Sequence, residues 1–359
     1  MENKPELSII VPIYNAEKFI DNCMRSIYAQ TFTDYEIILV NDGSTDHSDE
    51  ICRRYRDDDP RVTYIEKENG GAGSARNAGM DAAKGRFLAF PDVDDSFEPE
   101  MYAGLYALAE SGDYDMVFSG VNYYHQEKDG GLVYSRTQNV KPLSFHSKDR
   151  CRENIMEFFP TTTIFDVPWN KLYKRSIITE NKIRFTDIRR CQDALFNIDF
   201  FNCISSAASV DKAYYNYMEN TAFDVQRKFP KNYIDITICY YRHLIEILSQ
   251  WGVYRDDIKR HYDTSVVISV FGTMGMFDNP RWALSKAEKK QYVLSILERE
   301  DVQKMIKNAD IREDSRWMYD IIRHKDYLSF MKYYKREKLK EKLRDNQLVM
   351  RLYHIAKQS

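Results

Sequence analysis

The chain is poor in features that would mark a specialised class. Its six cysteines, Cys23, Cys52, Cys151, Cys191, Cys203 and Cys239, show no paired metal-ligand spacing, which excludes a zinc module and a small disulfide-stapled scaffold. Its longest run without a charged residue, Thr264 to Phe277, has 14 residues, against the roughly 20 needed to cross a bilayer. Neither sign of charge prevails: 52 Lys and Arg face 55 Asp and Glu, and the broad basic surface expected of a nucleic-acid binder is missing. No repeat and no low-complexity linker interrupts the 359 residues. What remains is 43% hydrophobic and 14% aromatic, enough to bury a large core in one domain with an appendage. With no signal peptide before the first strand, the sequence predicts a cytoplasmic protein.

The first hundred residues alternate between short apolar runs and amphipathic stretches. Leu7 to Val11 reads as a buried parallel strand that enters Pro12-Ile13-Tyr14-Asn15 and then a helix from about Glu17 to Gln30. Tyr35 to Val40 is a second strand, ending in Asn41-Asp42-Gly43-Ser44-Thr45-Asp46. Val62 to Ile65 is a third, entering Asn69-Gly70-Gly71-Ala72-Gly73-Ser74-Ala75-Arg76-Asn77. Arg86 to Phe90 is a fourth. These strand-to-helix loops are short and polar, on the side where open α/β sheets bind ligands.

The fourth strand ends in Pro91-Asp92-Val93-Asp94-Asp95, three carboxylates in four residues. Such a cluster repels itself unless a cation sits in it, and a hard divalent ion with a nucleotide diphosphate in its shell suits it. The plain alternative is a solvated turn capping the helix that begins near Pro99.

These blocks together resemble the family-2 glycosyltransferases, nucleotide-sugar-dependent enzymes of GT-A fold. The likeness rests on Ile10 to Asn15, Val40 to Asp46, the Asn69 to Asn77 loop and Asp92-x-Asp94-Asp95. It extends less strictly to Trp169-Asn170-Lys171-Leu172-Tyr173 and Gln192-Asp193-Ala194-Leu195-Phe196. It implies an α/β fold, a Rossmann-like nucleotide-binding mixed sheet flanked by helices, over residues 1–225. Residues 1–120 would form the nucleotide-sugar half and 121–225 the acceptor half.

The resemblance also implies roles. Pro12, Tyr14 and Asn15 would lie under the nucleotide, Asp42 would accept from uracil or ribose, and Gly70 and Arg76 would meet the phosphates. Asp92, Asp94 and Asp95 would bind ribose and Mn²⁺ or Mg²⁺, with Asp94 the direct ligand. Asp193 would be the base that deprotonates an acceptor hydroxyl, giving inversion. Trp169 and Lys171 would face the acceptor, by stacking and by phosphate contact, unless they are core and a solvated stem. The expected partners are a UDP-sugar and a glycan or lipid-linked acceptor of a bacterial surface polysaccharide.

Two departures from the family pattern stand out. Gln192 replaces the usual acidic neighbour of the base, which admits a non-catalytic glycan-binding protein as an alternative. Met218-Glu219-Asn220-Thr221 follows the aromatic run Tyr214 to Tyr217 without the usual Arg or His, a contact that Arg227 or Lys228 could supply. A sugar-phosphate nucleotidyltransferase would need a Gly-rich basic loop where Pro12 to Asn15 stands.

Beyond Pro230 the pattern is helical: Lys231 to Ser249, Arg255 to Phe277, Ser285 to Glu298 and a final run, with breaks near Gly252, Pro280 and Asp310. From Met331 to Ser359 there are nine Lys or Arg against three Asp or Glu. Interleaved with Tyr and Leu, that stretch suits a helix on an anionic leaflet, or one docked on an acidic protein surface.

Overall fold

The computed structural model describes residues 4–126, 132–155, 166–188, 191–219, 232–273, 277 and 284–345. It divides into two compact units, Met1–Ala222 and Phe223–Ser359.

The first unit is built on one mixed sheet. Strands β1 (Leu7–Ile13), β2 (Tyr35–Asn41), β3 (Val62–Glu66) and β4 (Phe87–Ala89) take the order β3-β2-β1-β4 and run parallel. Each is followed, within the turn or loop at its carboxyl end, by a helix or by the acidic turn. Helices α1 (Ile20–Tyr28), α2 (Ser48–Asp58) and α3 (Ala72–Ala82) follow the first three strands. β1 and β2 are buried almost throughout, as both-face coverage by helices requires. The chain moves outward from β1 to β3, then returns to place β4 on the other side of β1. That reversal makes the β1/β4 boundary a switch point, where loops on either side splay apart and leave a crevice.

Beyond β4 the sheet is mixed. After β5 (Ser96–Phe97) and α4 (Met101–Ser111) come β6 (Met116–Gln126), β7 (Leu132–Gln138), β8 (Leu143–Phe145) and α5 (Lys148–Glu153). β9 (Lys171–Lys174), α6 (Arg175–Glu180), α7 (Gln192–Cys203) and β10 (Ala207–Glu219) complete the unit. β9 lies between β4 and β6, antiparallel to both, and β10 joins β6, to which it is parallel, to β5, to which it is antiparallel. β7 pairs with β6 and β8 with β10, both antiparallel. Asp115, just before β6, is buried and accepts from the Ser205 and Ser206 amides at 2.8 and 3.2 Å.

The second unit is helical in its described residues. α8 (Tyr233–Gln250), α9 (Asp256–Gly272), α10 (Lys286–Leu297), α11 (Glu300–Ile306), α12 (Arg316–Arg323) and α13 (Tyr327–Asp345) bury Ile234, Ile238, Val267, Val270, Phe271, Leu297 and Ile322 in a core of their own. Ser285 starts α10 with a reciprocal capping box to Glu288. The expected final helix is interrupted at Lys325, whose φ is +55°. Arg227, Lys228 and residues 346–359 lie outside the described residues.

Candidate functional site

The loops at the carboxyl ends of β1, β2 and β3 are stitched to one another. Pro12 sits inside β1 opposite Val40. Asn15, at φ +50°, accepts from the Thr45 amide at 2.8 Å and donates its own amide to Ser44 Oγ at 3.0 Å. Asn tolerates that left-handed backbone better than most residues because its amide bonds locally. Tyr14 is left 42% exposed at the crevice.

Asp42 is buried at the next loop. Its carboxylate accepts from Lys67 Nζ at 2.8 Å and from the amides of Gly70 and Gly71 at 3.0 and 2.7 Å. Asn69 Nδ2 closes the same turn on the Asp42 carbonyl. Gly71 adopts φ +88°, closed to most side chains. The glycine loop is therefore held open at the N-terminus of α3 by one carboxylate, and a ligand at Asp42 would meet an anion that already serves three donors.

Arg76 joins the two halves of the unit. Its side chain projects from α3, is 2% exposed, and donates Nη2 to Asp92 Oδ1 at 2.6 Å and Nη1 to Asp193 Oδ1 at 2.8 Å. One guanidinium thus bridges the acidic turn after β4 and the first turn of α7, a planar fork that lysine could not reproduce. Its Nε is buried with no hydrogen-bond partner among the described residues. Asp92 and Asp193 keep about a third of their side-chain surface, 31% and 32%. Burial pushes the Asp193 carboxyl above the usual carboxylate range, the Arg76 charge pulls it back, and Asp92 adds a smaller upward push.

The acidic turn has a second anchor. The Tyr215 hydroxyl of β10 accepts from the Asp92 amide at 3.1 Å and donates to Asp95 Oδ2 at 2.8 Å, while Asp95 Oδ1 accepts from the Met218 amide at 2.8 Å. Asp95 is 1% exposed, and burial together with Asp94 and Asp92 raises its carboxyl well above the normal range. Of the three expected metal ligands, Asp95 therefore faces inward as an anchor, while Asp92 and Asp94 stay partly exposed. No group of three His, Cys, Asp or Glu able to hold a metal occurs among the described residues. Two hard carboxylates suit a divalent ion that completes its shell with diphosphate oxygens and water, not a cage made by protein alone.

α7 is positioned by contacts the sequence did not announce. Asn77, one residue after Arg76 on α3, holds both backbone groups of Phe185, donating at 2.8 Å to its carbonyl and accepting at 3.0 Å from its amide. The Phe185 ring stacks on Phe196 of α7, centroids 4.0 Å apart. Gln192 packs against α3: a Cβ on Gly73 would come 2.3 Å from its Oε1. Asn197 ties the same helix to Tyr173 at 2.6 Å and to the Val167 carbonyl at 3.0 Å. The carrier of Asp193 is thus fixed from three sides.

The two acceptor assignments need correction. Trp169 is 3% exposed and stacked on Tyr215, ring centroids 4.1 Å apart at 15°, with Tyr217 beyond at 5.6 Å. Lys171 is fully buried in β9, and its ammonium donates to the Val167 carbonyl at 2.7 Å and to Asn170 Oδ1 at 2.6 Å. Burial pulls its pKa well below the usual lysine range. Both belong to the core behind the acidic turn, because β9 lies inside the sheet with neighbours on both edges. Tyr215, Asn77 and Phe185 were missed. The aromatic run at Tyr214 to Tyr217 was the only trace of the first, and its phenol contact spans 120 residues of sequence.

The profile described as Glycosyl transferase family 2 matches residues 8–181. YibD of Escherichia coli (strain K12), a glycosyltransferase whose own role is uncharacterized, is 32% identical over 250 residues, 69% of this chain and 70% of YibD. The uncharacterized glycosyltransferase EpsJ of Bacillus subtilis (strain 168) is 37% identical over 220 residues, 60% of this chain and 62% of EpsJ. The chain therefore spans somewhat less than two thirds of EpsJ. The crystal structure of Staphylococcus aureus TarS 1–349 in complex with UDP-GlcNAc shares the fold, with a TM-score of 0.63 at 18% identity over 93% of this chain and 92% of that one. The mixed sheet, its switch-point crevice and the acidic turn define a GT-A-type transferase domain. The chain belongs to glycosyltransferase family 2.

Proposed function

We propose that this chain transfers a sugar from a UDP-sugar to a hydroxyl of a glycan or lipid-linked acceptor, with inversion, in bacterial surface-polysaccharide synthesis. The observation that carries this reading is the Arg76 bridge, which sets Asp92 of the donor-side turn and Asp193 of α7 on two nitrogens of one guanidinium. Donor and acceptor chemistry then meet at a single point.

In this reading the nucleoside diphosphate lies across the β1/β4 crevice, with Tyr14 against the base and the Gly70–Gly71 turn beside the phosphates. Asp92 and Asp94 would hold Mn²⁺ or Mg²⁺, which when bound offsets charge on the leaving diphosphate. Asp193 takes the proton of the acceptor hydroxyl as its oxygen attacks the anomeric carbon, and the bond from that carbon to the UDP oxygen breaks on the opposite face. Burial suits Asp193 to the task, because a raised pKa makes a stronger base, while the Arg76 charge favours its ionised form. The UDP-sugar bound by the TarS fold neighbour supports the donor class. No described helix is long and apolar enough to cross a membrane; a lipid-linked acceptor would be met at the membrane surface, through the basic C-terminal helix.

The test is calorimetric titration of UDP with Mn²⁺ and with EDTA, on the native protein and on Asp94→Ala, followed by a UDP-sugar turnover screen. Manganese-dependent binding lost in Asp94→Ala supports the donor site. UDP binding with no turnover of any UDP-sugar, unchanged in Asp193→Asn, would favour a non-catalytic binding protein instead.

A further inference from the structure

The second unit carries a groove between α12 and α13 that takes no part in the chemistry above. A cavity of about 270 Å³ is lined by Trp317 and Ile321 from α12 and by Ser329, Lys332, Tyr333 and Arg336 from α13. Spacings of three and four put these last residues on one helix face. Its aromatic wall is ordered by contact: Trp317 and Tyr333 lie 4.7 Å apart between ring centroids, and the Trp317 Nε1 donates to the Asp314 carbonyl at 3.1 Å. The Arg336 guanidinium sits 5.3 Å from the Tyr333 centroid and 5.9 Å from that of Trp317. Its one ion pair among the described residues is a loose one, 3.6 Å to Glu337, and Lys332 has none.

The groove therefore offers two cations, two hydroxyls and an indole that is 36% exposed, a set suited to a phosphate ester. Its setting is basic: from Arg316 to Lys338 there are seven Lys or Arg against three Asp or Glu. One turn before Lys332, Leu328 is 77% exposed, the most exposed of the large hydrophobic residues described. A hydrated glycan or a free phosphate leaves that leucine without a use. A bilayer surface buries it, since interfacial helices pair an apolar residue and aromatic rings with Lys and Arg at headgroup level.

We propose that the α12/α13 groove seats the phosphate of an anionic phospholipid, with Leu328 entering the acyl boundary beside it. This gives the membrane-face reading above a site and a ligand, and it does not depend on the donor chemistry.

The full chain is sedimented with vesicles of phosphatidylglycerol and phosphatidylcholine and with vesicles of phosphatidylcholine alone. Binding to the anionic vesicles only, weakening as salt is raised, is expected. Leu328→Ser and the pair Lys332→Glu/Arg336→Glu should each lower the partition coefficient at least tenfold with an unchanged circular dichroism spectrum. The pair Lys304→Glu/Lys307→Glu, an equal charge change on and just after α11, should lower it less than threefold. Equal losses in the two charge pairs would overturn the groove while leaving a diffuse membrane attraction standing. No binding by the native chain would overturn both. Displacement by millimolar glycerol phosphate, with Leu328→Ser unaffected, would make the ligand a soluble phosphate and overturn the bilayer.

Discussion

The phenol of Tyr215 and the carboxylate of Asp95 meet at 2.8 Å inside the first unit, 120 positions apart in sequence. Because the same oxygen accepts the Asp92 amide at 3.1 Å, one hydroxyl fixes both ends of the acidic turn.

Tyr215→Phe removes that oxygen and keeps the ring stacked on Trp169. A buried carboxyl and a backbone amide lose a partner, so the variant should be less stable by about 1–3 kcal/mol. Urea unfolding measures this, and calorimetry should show weaker UDP binding in Mn²⁺ as the turn loosens. An unchanged midpoint and unchanged affinity would mean that the turn is held from elsewhere.

Asp95 should leave a signature in pH. Its carboxyl is pushed up by burial and by Asp94 and Asp92, so the folded state holds its proton at pH values where the unfolded chain has released it. Stability of the metal-free protein should fall as pH rises from the unfolded value near 4 through the folded one. Asp95→Asn should flatten that slope in denaturation series run in EDTA, and a slope unchanged by the substitution would assign it to another group.

Asp193→Asn should reduce turnover by roughly 10²–10⁴-fold while leaving UDP affinity within about twofold. In the native enzyme kcat should rise with pH as Asp193 loses its proton. The Arg76 charge lowers that pKa, so Arg76→Gln, which removes the charge, should move the acidic limb to higher pH. A limb that stays in place would separate the guanidinium from the ionisation of Asp193.

Trp169→Ala should cost about 3–5 kcal/mol, since the indole is buried against Tyr215. If the residue instead touched the acceptor, the variant would raise the acceptor KM with little change in melting temperature.

The first hundred residues were the most legible part of the fold. Parallel strands buried on both faces give unbroken apolar runs such as Leu7 to Val11 and Tyr35 to Val40, and their turns carry the glycines and carboxylates that define the loops. The second half of the sheet was harder to read, because β9 has four residues, and Lys171 within it and Trp169 just before it belong to types usually found at surfaces or in binding sites. Their burial follows from the position of β9 between β4 and β6, which is a matter of topology and not of local pattern. The end of the chain was legible only as helix, since amphipathic spacing does not say which face a neighbour covers.

Local chemistry by itself determined the parallel strands, the four loops at their carboxyl ends and the presence of three carboxylates after β4, because each depends on residues within a few positions of one another. The tertiary structure alone decided which of those carboxylates is buried. Asp95 turns inward because the Met218 amide and the Tyr215 hydroxyl are there to receive it, and Arg76 reaches Asp193 across 117 residues. Hydrogen bonds of that span exist only once the sheet has closed around them, and no periodicity in the sequence encodes them.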